Sequence, residues 1–109
     1  MREQIKNALL RVTDKVRYGY RRDDTKDKYI VYEDDGQGDV LWGDGKLLEM
    51  VIRGSIDYFT TDEDDPNFFS IMEALNDAGI PFAFEMSEYI EHLMQWHHVW
   101  SYEYLLTRS

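Results

Sequence analysis

Apolar residues recur every three or four positions from Arg2 to about Thr13: Ile5, Ala8, Leu9 and Val12 share one side, Arg2, Lys6, Asn7 and Arg11 the other. This spacing predicts an amphipathic helix of about three turns. VRYGYRRDDTKDK, residues 16–28, starts as a short strand and continues as a charged connector. YIVYE, residues 29–33, reads as a strand because aromatic and β-branched residues follow one another. The next thirteen residues, DDGQGDVLWGDGK, contain four glycines and read as a long loop at about 34–46, with Val40, Leu41 and Trp42 as an apolar knot. LLEMVIRGSIDYFT, residues 47–60, alternates: Leu48, Met50, Ile52, Ile56 and Tyr58 on one face, Glu49, Arg53, Ser55 and Asp57 on the other. It is long enough to be the central strand, and Gly54 marks a bend or bulge in it.

A second helix is bracketed at both ends. Asp65 suits the N-cap, Pro66 the first helical position, and Asp62, Glu63 and Asp64 lie where the helix dipole favours anions. Gly79 stops the helix and Pro81 prevents its resumption; Phe68, Ile71, Met72 and Leu75 form its apolar stripe. IPFAFEM, residues 80–86, reads as a strand with Phe82, Phe84 and Met86 on one face, and SEYIEHLMQ, 87–95, reads equally as a helical turn or a strand connector. WHHVWSYEYLL, 96–106, alternates again, Trp96, His98, Trp100, Tyr102 and Tyr104 opposing His97, Ser101 and Glu103. Grouped strands rather than strict strand–helix alternation predict a single α+β domain over residues 1–109. Its sheet should have four or five mostly antiparallel strands, with both helices packed on one face.

Composition narrows the function. The 109 residues hold 43% hydrophobic and 15% aromatic residues, enough to build a core, so intrinsic disorder is not expected. No cysteine occurs, which excludes disulfides, a thiol nucleophile and thiolate zinc sites. No apolar run reaches the roughly 18 residues of a membrane span, and MREQIKNALLRV lacks a small-residue cleavage site, so the mature protein is expected to begin at Met1. The formal net charge is -10 and unevenly spread: residues 1–28 hold nine basic and five acidic side chains, net +4, which leaves -14 for the rest. A basic quarter and an acidic body can attract copies of the chain head to tail.

Candidate chemistry is sparse. The carboxylates of DEDD, 62–65, lack the alternate spacing and glycine of a calcium loop, and their place before a helix already explains them. His97 and His98 are adjacent and point to opposite faces of a strand, so with His92 at most two ligands converge; a strand histidine packed between Trp96 and Trp100 is the simpler reading. No serine sits in a glycine-flanked elbow, and the glycines of DDGQGDVLWGDG are followed by no Lys-Ser/Thr and flanked by aspartates, which repel phosphate. Trp100, Tyr102 and Tyr104 would suit base stacking only among lysines and arginines, whereas Glu85 and Glu103 are near. No catalytic residue, cofactor or metal ligand is assigned, and no enzyme activity is expected.

Taken in order, YIVYEDDGQ (29–37), GDGKLLEMVIRGSIDYFTTDEDDP (43–66), FFSIMEALNDAGIPFAF (68–84) and HHVWSYEY (97–104) resemble the tail terminator, or tail completion, proteins that join tail to head in long non-contractile-tailed bacteriophages. EYIEHLMQWHH, ahead of the final strand, departs from that pattern. The resemblance implies an α+β virion subunit, made in the host bacterial cytoplasm, that forms a hexameric ring on the head-proximal end of the tail tube. It would stop tube polymerisation and present a surface to the head connector, with no enzyme activity. Its partners would be copies of itself, the major tail tube protein and a head-completion or connector protein, with no membrane and no specific nucleic acid. An acidic lumen would keep transiting DNA from adhering. The candidate contact residues are Arg17, Arg21 and Arg22 in the basic segment, Asp34, Asp35, Asp39 and Trp42 in the glycine-rich stretch, and Asp62, Glu63 and Asp64 in the acidic turn. A competing reading of the -14 segment is a decoy that mimics DNA phosphates and inhibits a host DNA-binding protein. A metal-dependent hydrolase using residues 62–65 with His97 or His98 ranks last.

Overall fold

A computed structural model describes residues 2–19 and 28–107. Two helices, α1 (Arg2–Leu10) and α2 (Asn67–Asp77), and five strands, β1 (Val16–Tyr18), β2 (Tyr29–Gly43), β3 (Lys46–Thr60), β4 (Phe82–Ile90) and β5 (Gln95–Thr107), form an α+β fold. The strands make one sheet in the order β1-β2-β3-β5-β4, with only the β1–β2 pair parallel. β3 is central, as its length predicts. Both helices lie on one face, because Ile5, Ala8 and Leu9 of α1 and Ile71, Ala74 and Leu75 of α2 share one core with Ile30, Tyr32, Ile56, Tyr58, Trp100 and Tyr102. On the opposite, open face, Tyr29, Val31 and Phe59 form a smaller cluster backed by Ile90. There the Phe59 ring stacks on Tyr29 at 4.8 Å and on His97 at 4.4 Å.

The end of α2 follows its residues closely. Gly79 takes φ +71°, Ile80 N–H donates to the Leu75 carbonyl at 2.9 Å and Gly79 N–H to that of Asn76 at 3.0 Å. This is a Schellman cap, and it drops Ile80 into the core. At the other end the helix starts at Asn67, one residue later than expected. Asp65 still caps it, because its Oδ1 accepts the Asn67 N–H at 2.9 Å. Its Oδ2 accepts the hydroxyls of Tyr58 and Thr60, both at 2.7 Å, and pairs with Lys28 Nζ at 3.0 Å. One buried carboxylate thus ties the entry to β2, the end of β3 and the start of α2. Burial alone would raise the Asp65 pKa, but the bonds from Thr60, Asn67, Tyr58 and Lys28 outweigh it and bring it to about 2.

Three expectations change. The glycine-rich stretch 34–46 is not a loop: it continues β2 to Gly43 and closes a two-residue hairpin, with Gly43 opposite Lys46 and Asp44 and Gly45 at φ 51° and 72°. Asp-Gly with positive φ at both positions is a type I′ turn, whose twist matches that of the flanking strands. The glycines and acids that suggested a loop instead accompany register shifts between Asp34 and Gly36 and between Gln37 and Val40. The bulge expected at Gly54 lies across from it in β2, while β3 stays in unbroken register with β5. Gly54 is required for another reason: a Cβ there would lie 2.2 Å from the Tyr102 ring and 2.4 Å from the Glu33 carbonyl oxygen. Finally, a bulge between Phe84 and Met86 reverses the phase of β4. Phe84 pairs with Trp100 beneath α2, whereas Met86 pairs with Val99 on the open face. Residues 87–95, left open between turn and strand, finish β4 and turn through Glu91–Met94 into β5.

Candidate interaction surfaces

The molecule is long, 53 × 26 × 20 Å, because the β2–β3 hairpin outruns the helices. Near Gly54 the sheet is covered by α1 and α2; beyond it, β2, β3 and the end of β5 continue as a three-stranded arm. The arm carries apolar side chains on both faces, joined on the open face by Glu49 and, at its root, by the Arg53–Glu103 pair. Met50 pairs with Leu106 and Val40 on one face, and Val51 pairs with Leu105 on the other. Near the tip Trp42 is 63% exposed and Leu41 52%, with Leu48, Leu105 and Leu106 all above 40%. Contiguous apolar surface of this kind marks a contact site, since an isolated solvated sheet keeps polar residues on at least one side. At the arm's root a groove lined by Ile5, Val51, Ile80, Pro81, Tyr104 and Leu105 continues the patch toward the helices.

The candidate contact residues divide among distant places. Trp42 lies beside the hairpin tip, whereas Asp62, Glu63 and Asp64 sit in an exposed turn between β3 and α2, at the opposite end of β3. Asp35 is exposed in the β2 bulge, and Asp39 belongs to the arm part of β2. Arg17 is in β1, half-buried; Arg21 and Arg22 lie outside the described residues.

Asp34 is the centre of an internal network. Its carboxylate accepts the hydroxyls of Tyr102 at 2.6 Å and Tyr104 at 2.8 Å, and Arg2 Nη2 at 3.1 Å. Arg2 in turn lies 4.4 Å over the Tyr18 ring. Burial works to raise the Asp34 pKa, but the two tyrosines and Arg2 hold it below the usual carboxylate range. The same contacts push Tyr104 up to about 12, burial first and then Asp34. Arg11 pairs with Asp77 at 3.7 Å and Lys28 with Asp65, so among the described residues at least three cations of the basic quarter, Arg2, Arg11 and Lys28, are engaged within the chain itself.

His97 and His98 do point to opposite faces. His97, on the open face, stands between Glu88 Oε1 at 3.1 Å and Asp57 Oδ2 at 3.5 Å. Burial lowers its pKa, but the two carboxylates prevail and raise it. His98, on the helix face, lies 6.5 Å from Trp96 and 6.2 Å from Trp100, with Nδ1 2.5 Å from Ser87 Oγ. Burial and then the charge of His97 lower its pKa. A serine nucleophile needs its base oriented by a third group, but the other ring nitrogen of His98 is buried without a partner among the described residues. In those same residues no three His, Asp or Glu side chains converge as metal ligands, and no helix is long and apolar enough to cross a membrane.

The sequence reading missed most of the arm surface and the exposed aromatics of β4, Phe84 and Tyr89. A signal was present: in LLEMVI, VLW and YLL apolar residues occupy consecutive positions, so they must occupy both faces of a strand. Neither a family model nor a curated protein matches this chain.

Proposed function

We propose that this chain is a structural subunit of a bacteriophage virion that assembles as a ring on the tail tube, ends tube growth and joins the tail to the head connector. The two-faced apolar arm carries the reading. A subunit that projects an uncovered stretch of sheet beyond its helices is built to complete that layer with neighbouring chains. The ordered segments that resemble tail terminators, and the exposed acidic turn at the far end from the arm, fit a part that touches different partners at its two ends.

The test adds the purified chain to polymerising tail tubes and follows tube length and end structure by electron microscopy. Capped tubes of limited length, with a ring at one end, are expected. Unlimited tube growth with no added end density would overturn the proposal. Capture of a basic DNA-binding host protein from lysate, in the absence of capping, would favour the DNA-mimic reading instead.

A further inference from the structure

The two edges of the sheet are complementary in a way that no single strand reveals. β1 forms one edge and β4 the other, and among the described residues neither has a pairing partner on its outer side. On β1, Val16 and Tyr18 face the helix layer, where Tyr18 meets Tyr32, so Arg17 belongs to the open face. On β4, Phe84 and Tyr89 belong to the helix face, where Phe84 meets Phe68 and Tyr89 meets Trp96. Glu85 and Glu88 belong to the open face, where Glu85 accepts the Ser101 hydroxyl and Glu88 meets His97. Each edge therefore carries exposed aromatic surface on the helix side and charge on the open side, cationic at β1 and anionic at β4.

We infer that β4 of one copy pairs with β1 of the next, continuing the sheet from subunit to subunit. This rests on the ring reading and specifies its contact. Following the pairings through the sheet, β1, β2 and β5 run one way and β3 and β4 the other. A neighbour related by rotation about an axis roughly along the strands keeps its helices on the same face and sets its β1 antiparallel to β4. Arg17 then stands beside Glu85 or Glu88 on the open face, and Tyr18 beside Phe84 or Tyr89 on the helix face, according to register, as cross-strand neighbours. Wrong pairings are disfavoured by the same residues: two β4 edges would oppose carboxylates, and two β1 edges would oppose arginines. What remains is a contact between unlike edges, which closes into a ring when the rotation allows.

The chain has no cysteine, so single cysteines give a clean readout. Tyr18→Cys is mixed with Phe84→Cys or, separately, with Tyr89→Cys, free and on tail tubes, under mild oxidation. Folding of each variant is checked by circular dichroism. A mixed covalent dimer well above either homodimer is expected for at least one β4 position. Arg17→Glu in the Tyr18→Cys chain should reduce it about fivefold, and Glu88→Arg in the β4 chain should restore it. No excess of mixed dimer with either position, free or on tubes, would overturn the edge contact. Rings seen by microscopy without that disulfide would overturn it while leaving the ring intact.

Discussion

In the half of the sheet beneath the helices, β3 alternates from Arg53 to Tyr58: Ile56 and Tyr58 are buried under α1 and α2, while Arg53, Ser55 and Asp57 face outward, and Phe59 alone adds a buried apolar side chain on the open face. In the arm half of the same strand, Leu47, Leu48, Met50, Val51 and Ile52 place apolar side chains on both faces and are at best half-buried. The change comes near Gly54, where the helix layer ends. Alternation belongs to sheet that the chain's own helices cover, and two-sided apolarity to sheet that they leave uncovered. The polar networks follow the same division. Asp65 and Asp34 each tie several elements together, and both sit in the covered half or at its margin, not at the arm's tip.

The largest effect is expected at the boundary. Gly54→Ala would force its methyl into the Tyr102 ring and the Glu33 carbonyl, and should cost about 3 kcal/mol or prevent folding, measured by urea denaturation. An Ala variant as stable as the parent would show that the covered half does not depend on that close approach. Asp65→Asn comes next, at about 2 kcal/mol. Because the Asp65 pKa is depressed to about 2, its contribution is present in full above its unfolded value near 4 and is lost as pH falls from there toward 2. Thermal melts of parent and variant should therefore converge in acid. A smaller effect of opposite sign is expected at His97, whose pKa is raised in the folded protein. Its stabilisation is present below the unfolded value near 6.5 and fades as pH rises through the folded one, so His97→Gln should narrow its gap to the parent above neutrality. The smallest stability change belongs to the arm. Trp42→Ala, at an exposed site, should shift unfolding by no more than about 0.5 kcal/mol yet abolish tube capping. A large loss of stability with capping intact would reverse the distinction between the two halves.

Much of the covered half was legible beforehand. The periods of 3.6 in residues 2–13 and 68–75 and of 2 in 47–60 and 96–106 placed both helices, the central strand and the last strand. Gly79 and Pro81 ended α2 correctly. The arm is hidden in the sequence because Gly36, Gly38, Gly43 and Gly45 read as loop formers, although Asp44-Gly45 between two apolar runs is a hairpin signal. The phase of β4 could not be read, since one inserted residue at a bulge moves every later side chain to the other face. Of the candidate contact residues, Trp42, Asp35 and the turn Asp62–Asp64 are exposed, whereas Asp34 is spent on Tyr102, Tyr104 and Arg2, partners that lie 68, 70 and 32 positions away along the chain.

By itself the sequence determined the fold class, the helix positions, the central place of β3 and the uneven distribution of charge, because these depend on local periodicity, on capping and on counting. Only the tertiary structure decided how far the helices reach along the sheet and which charges are consumed inside the chain. It also decided that the edges β1 and β4 carry matched faces. Those properties depend on which distant residues meet across strands, and no local pattern records where a covering layer stops.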